Sequence, residues 1–115
     1  MANFSPTFCI DIKDDFAAPS SATVTNPGQA FELVDVIASG TATAVVTVKK
    51  NTTGGATAGV ATVIAAGSSA QITDANSSFA ATDNIWVGVA TAAVTRVTLV
   101  CRSAIASTWT NTTPA

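Results

Sequence analysis

The sequence predicts an all-β fold, an antiparallel β-sandwich or jelly roll of about eight strands in one domain. Three observations predict it. Short apolar and β-branched runs are separated by clusters of Gly, Pro, Asn, Asp and Ser. Segments such as Val45-Val46-Thr47-Val48 and Val94-Thr95-Arg96-Val97-Thr98 would lose rotamer freedom in a helix and pack well on a pleated sheet. Within the runs, apolar and polar residues alternate with period two, the spacing at which side chains fall on one face of a strand.

Taken in order, strands are predicted near Thr7–Lys13, Ala22–Thr25, Ala30–Ala38, Thr41–Lys49, Ala58–Ala65, Ser69–Thr73, Asn84–Ala90 and Val94–Ser103. In the first, Phe8, Ile10 and Ile12 take the core side and Cys9, Asp11 and Lys13 the other. Ala44, Val46 and Val48 are buried in the fourth, with Thr43, Thr47 and Lys49 opposite. Ile85, Val87 and Val89 repeat the pattern, but Trp86 on their other side makes that strand apolar on both faces, which predicts a central or covered position. Asn26-Pro27-Gly28 supplies a fixed φ followed by a residue free to take positive φ, and Asn51-Thr52-Thr53-Gly54-Gly55 fits a hairpin loop; both are read as closing antiparallel pairs. The longer connection Asp74–Asp83 reads as a crossing between sheets, with Phe79 tucked inward and Asp83 bonding local backbone amides.

A chain of 115 residues has the usual size of one domain. Residues 1–115 are read as that domain, with residues 1–6 an N-terminal arm and 107–115 a C-terminal tail. Both ends are polar, contain Pro and are poor in core residues, and they are read as arms lying against other subunits. Charged residues make up 10% of the chain, against about 25% in ordinary soluble proteins. The surface is therefore built from Thr, Ser, Ala, Asn and Gly, with few ions to resist association. A secreted domain kept soluble by hydroxyls or glycans is the alternative, and three sequons begin at Asn51, Asn76 and Asn111. In a chain so rich in Ser and Thr such triplets arise by chance, and the N-terminus shows no basic stretch leading into an apolar run, which predicts no signal peptide.

Other function classes are disfavoured on composition. The charge-free interval between Lys50 and Asp74 is interrupted by Gly, Ser and Thr, unlike a membrane-spanning helix of about 20 apolar residues, so no membrane is expected. The net charge of −2 and five scattered basic residues are wrong for phosphate neutralisation, so no nucleic acid is expected either. The chain has no His and no Tyr, which removes the commonest general base and metal ligand and leaves Ser or Cys nucleophiles without their usual activator. A glycosidase would need two facing carboxylates, for which Glu32 and Asp35 are the candidates. Asp11, Asp14 and Asp15 could be offered as a calcium site, but their spacing does not match an EF-hand loop. No catalytic residue, cofactor or metal is expected, and the chain is read as non-enzymatic.

Two cysteines fall in the first and last strands. Cys9 lies opposite the core face of Phe8 and Ile10, whereas Cys101 shares the face of Val97 and Leu99, so reduced packing thiols are expected rather than a bridge. Trp86 and Trp109 could be sugar-stacking platforms; the plainer reading has Trp86 filling a sheet face and Trp109 anchoring the tail.

The Thr/Ala/Val-rich hairpin Thr41–Lys50, the strand end Ile72-Thr73-Asp74, and Phe79 to Val87 leading into Val94–Leu99 carry a resemblance. The stretch Ala30–Ser103 resembles jelly-roll or sandwich domains of tailed-bacteriophage particles, the head decoration (cement) proteins and fibre or tail modules. The resemblance implies a viral structural protein on the outer surface of the virion, assembled in the host cytoplasm. As a homo-trimer or homo-dimer it would bridge neighbouring major capsid proteins. A tail or fibre module binding host-surface carbohydrate is the alternative. Contacts are expected around Phe4, Phe79 and Trp109.

Overall fold

A computed structural model describes residues 7–13, 20–40, 42–64, 67–90 and 94–103. Its described strands are β1 (Thr7–Ile12), β2 (Ser20–Val24), β3 (Phe31–Gly40), β4 (Ala44–Lys50), β5 (Thr57–Ile64), β6 (Gly67–Ile72), β7 (Ser78–Phe79), β8 (Ile85–Val89) and β9 (Val94–Ser103), with a 3-10 turn at Asp74–Asn76. They form two sheets, ordered β1-β9-β3-β7 and β2-β8-β4-β5-β6, with every described pairing antiparallel. The all-β sandwich predicted from the sequence is the fold, with nine strands. The added strand, β7, is a two-residue pairing of Phe79 with Phe31 and Ser78 with Glu32, too short for alternation to reveal.

The core lies between the sheets and is built largely of Val and Ala. Val46, Val48 and Val87 from one sheet face Leu33, Val36, Val97 and Leu99 from the other, all essentially inaccessible to solvent. Each large apolar side chain so buried contributes about 1.5–3 kcal/mol relative to exposure. At one end Phe31 and Phe79 stack with centroids 4.7 Å apart, and Phe8 meets Phe31 edge-on at 5.9 Å. Phe8, Ile10 and Ile12 are only partly buried against the core, because β1 is an edge strand.

Asn26-Pro27-Gly28 does not close a hairpin. It carries the chain from β2 in one sheet to β3 in the other. The Asn26 carboxamide oxygen accepts from the Gly28 and Gln29 amides at 3.0 and 2.8 Å, and Gly28 takes φ +100°, so the turn is shaped by its own side chain instead of by a strand pair. Asn51–Gly55 does join the antiparallel pair β4 and β5. The connection after β6 crosses to the other sheet at β7 and back to β8, as its length predicted.

Candidate functional site

The two outer faces of the sandwich differ in charge. On the four-stranded sheet, β1, β3 and β9 contribute Asp11, Glu32, Asp35, Arg96 and Arg102. Asp11 accepts from Arg96 Nε at 2.8 Å and from its Nη2, and also from Thr98 Oγ1 at 3.2 Å. The Arg96 guanidinium bonded to Asp11 holds that carboxyl below its usual range. Glu32 sits opposite Arg102, with a closest approach of 3.9 Å.

The five strands of the other sheet carry Lys49 and Lys50 as their only charged residues. Lys50 turns to the end of the core, its Nζ 5.5 Å from the Phe79 ring, which leaves Lys49 as the one charge on that outer face among the described residues. Strand register places Trp86 between Thr23 of β2 and Lys49 of β4, and Gly88 between Ser21 and Thr47. Trp86 and Gly88, two residues apart, share this face. The far end of the indole lies over Gly88: a Cβ at position 88 would stand 2.1 Å from Trp86 Cη2. Glycine there is what allows the ring to lie down on the sheet. Lys49 Nζ is 5.6 Å from the indole centroid, a cation–π distance. Ser21, Val45, Thr47, Lys49, Trp86 and Gly88 line a shallow depression of about 380 Å³, and Val45 is 41% exposed beside it. Trp86 thus fills a sheet face, as its position in the alternation predicted, while staying partly open to solvent.

A second hollow, of about 560 Å³, opens at the end of the sandwich around Phe31 and Phe79, rimmed by Glu32, Lys50, Asp83 and Arg102. Three asparagines clamp the loops at this end. Asn26 Nδ2 donates to the carbonyls of Gln29, Ala80 and Asp83 at 2.8, 3.1 and 3.0 Å, and the Asn26 amide donates to Asn84 Oδ1 at 3.0 Å. Asp83 accepts from Asn51 Nδ2 at 3.0 Å and from the Ala80 amide at 2.9 Å. Those bonds, with Lys50 nearby, hold the Asp83 carboxyl below its usual range. The local role expected of Asp83 is present; Asn26 and Asn51 were read from the sequence as turn residues, but their joint bonding with Asn84 and Asp83 was not. Their signal is positional, each standing at a strand end where side-chain amides satisfy loop backbone.

Glu32 and Asp35 do not face one another across a cleft. Glu32 lines the end hollow, while Asp35, beyond a bulge at Leu33/Asp35, accepts from its neighbour Val36 N at 2.8 Å. Asp11 is committed to Arg96 and Thr98, and Asp14 and Asp15 lie outside the described residues. Among those described, no group of three or more Cys, Asp or Glu side chains is placed to hold a metal ion, and no helix is long and apolar enough to cross a membrane. Cys9 is exposed and Cys101 buried, both free thiols; burial pushes the Cys101 thiol up to about 12. Of the three expected contact residues, Phe4 and Trp109 lie outside the described residues. Phe79 is tucked inward at 2% exposure, so contacts near it would come from neighbouring loop atoms and not from its ring.

Comparison with protein-family models, with curated proteins and with solved structures returns no match.

Proposed function

We propose that this chain is a structural subunit of a virus particle, a decoration or cement protein that packs on the outer surface of a lattice of major capsid protein and bridges neighbouring shell subunits. The observation that carries the proposal is the unequal charge of the two outer faces. A face of Ser, Thr, Val, Gln and one Trp, with Lys49 the single ion among its described residues, is dehydrated at far lower cost than a face of ionised groups. It also matches the composition of interface centres, which are depleted of charge and enriched in aromatics. The charged face is left to water. The viral setting rests on the resemblance of residues 30–103 to phage particle domains. The action is mechanical: apolar and backbone surface buried across a seam opposes its opening, and stable attachment takes about 1,200–2,000 Å² in total.

The test is copy number on purified particles, for the unaltered chain and for a Ser21→Asp, Thr47→Asp variant shown to fold. Many copies of the first and loss of the second are expected. Undiminished binding of the charged variant would remove the face from the account, and absence of the chain from particles would remove the function.

A second reading, an adhesion module for host-surface carbohydrate, is favoured by one feature. Trp86 lies beside hydroxyls and an ammonium in an open depression, an arrangement that suits an apolar sugar face with hydroxyls at its rim. Glycan-array binding by the isolated chain, abolished by Trp86→Ala, would favour that reading over cement.

A further inference from the structure

Four of the chain's five basic residues have a carboxylate close by. Lys13 and Arg96 pair with Asp11, Arg102 approaches Glu32, and Lys50 has Asp83 near it. Lys49 has no such partner among the described residues. Its ammonium donates to the Thr53 carbonyl at 2.8 Å and stands 5.6 Å from the centroid of the Trp86 indole. These two neutral contacts hold the charge in place without cancelling it. An ammonium has three donors and the carbonyl takes one, so Nζ keeps donors for a ligand.

The charge stands beside a rigid apolar plate. Lys49 is half-buried and directly cross-strand from Trp86, whose indole lies along the sheet over Gly88. The hydroxyls of Ser20, Ser21 and Thr47 line the same depression. A carboxylate on a short apolar stem complements all three features, with its stem against the ring, its charge on the ammonium and its spare lone pairs toward the hydroxyls. Burial makes that complementarity necessary. A partner patch of about 800 Å² per side, the size of a stable interface, that covers the indole covers Lys49 too, and an ammonium taken out of water without a counter-charge is strongly destabilising.

We infer that this depression is the anchor point of the docking face, and that its occupant is an acidic side chain, Asp or Glu, of the shell subunit, set with its carboxylate on Lys49 Nζ and its methylene stem against Trp86. This assignment rests on the shell-lattice reading and adds to it the chemistry of the partner at one point. An acidic sugar would offer the same carboxylate, but the apolar surface continues past the depression to Val45, 41% exposed, which a protein side chain matches and a hydroxyl-rich sugar does not.

The measurement is the affinity of the purified full chain for particles that lack it. Lys49→Met and Lys49→Glu each leave the shell carboxylate without its counter-charge, and each is expected to weaken binding about thirtyfold or more, Glu beyond Met. Lys49→Arg keeps the charge and is expected to restore most of the affinity. Unchanged urea midpoints would show that the three variants are folded. Carbodiimide coupling, which joins an amine to a carboxylate with loss of water, is expected to link Lys49 to an Asp or Glu of the shell protein on peptide mapping. Without a facing acid, Lys49→Met removes a buried charge and binds as well as wild type or better, which overturns the assignment. So does coupling of Lys49 to Asp14 or Asp15 of its own chain before binding, or particle binding that an acidic oligosaccharide abolishes with no shell protein linked. Failure of the unaltered chain to bind removes the shell reading and this assignment together; tight binding that ignores Lys49 removes the assignment alone.

Discussion

Asn51 and Asn84 exchange two hydrogen bonds across the root of the β4–β5 hairpin: Asn51 N–H donates to Asn84 O at 2.8 Å, and Asn84 N–H donates to Asn51 Oδ1 at 2.8 Å. Asn51 holds φ +67° to do so, a conformation that asparagine tolerates better than most residues. Asn51→Ala loses the side-chain bonds and strains the backbone, and is expected to cost about 2–3 kcal/mol in urea unfolding. Asn51→Gly relieves the strain but not the lost bonds, so it should fall between wild type and Ala. Equal losses for Gly and Ala would show that the backbone carries no strain.

Acid should loosen two places, the loop end held by Asp83 and the outer face of the four-stranded sheet held by Asp11. Asp83 and Asp11 both have folded carboxyls below their ordinary values. The stabilisation from each is fully present above the unfolded carboxylate pKa of about 3.9 and is lost as pH falls through the lower folded value. Stability is therefore expected to decline on acidification below about pH 4, and less steeply in an Asp11→Asn, Asp83→Asn double variant. Because Asp11 and Arg96 are exposed, salt should weaken the Asp11 share. Parallel pH profiles for wild type and variant would rule out both carboxylates as the source.

The thiols should react in two separate stages. Cys9 faces solvent and Cys101 faces the core, and β1 pairs with β9 so that Phe8, not Cys9, stands opposite Cys101. Under native conditions a thiol reagent is expected to titrate one cysteine quickly and the second only on unfolding, since the buried thiol is held in its protonated form. Mass spectrometry of the oxidised chain should find no internal bridge. Simultaneous labelling of both would mean that the β9 core face opens readily.

Phe79 tests whether its ring serves stability or contact. Its stacking on Phe31 and near-complete burial predict that Phe79→Ala costs about 3–5 kcal/mol, and that Phe79→Leu, which refills most of the space, costs much less. A folded Phe79→Leu chain should assemble as well as wild type. Loss of assembly at unchanged stability would return the ring to the interface.

Much of the fold was legible because burial obeyed a period of two. The faces assigned to Phe8, Ile10 and Ile12, to Ala44, Val46 and Val48, and to Ile85, Val87 and Val89 are the faces observed. The opposed sides of Cys9 and Cys101 followed from the same alternation. The turn at Asn26-Pro27-Gly28 was misread because local chemistry specifies that the chain turns, not which sheet it enters next; that is decided by where β3 finds β9 as its long partner. The segregation of charge between the faces was equally hidden. Asp11, Glu32, Arg96 and Arg102 are far apart in sequence and gather only once β1, β9 and β3 are neighbours.

The contact between Trp86 and Gly88 links the fold to either functional reading, since both use the outer face on which the indole lies. Gly88→Ala puts a methyl where the ring now rests and must lift the indole from the sheet. The backbone itself should tolerate the change, because Ala is no worse than Gly in a strand interior. In a Trp109→Phe background, which isolates one indole, emission from Trp86 is expected to shift to longer wavelength as the ring gains water. Trp86→Ala should remove the signal and leave the sandwich folded, since the core on the opposite face of β8 is Ile85, Val87 and Val89. If the raised ring is harmful to binding, Gly88→Ala should weaken attachment to particles or glycans in step with the spectral shift. An unshifted spectrum would mean that the indole does not rest on Gly88 in solution.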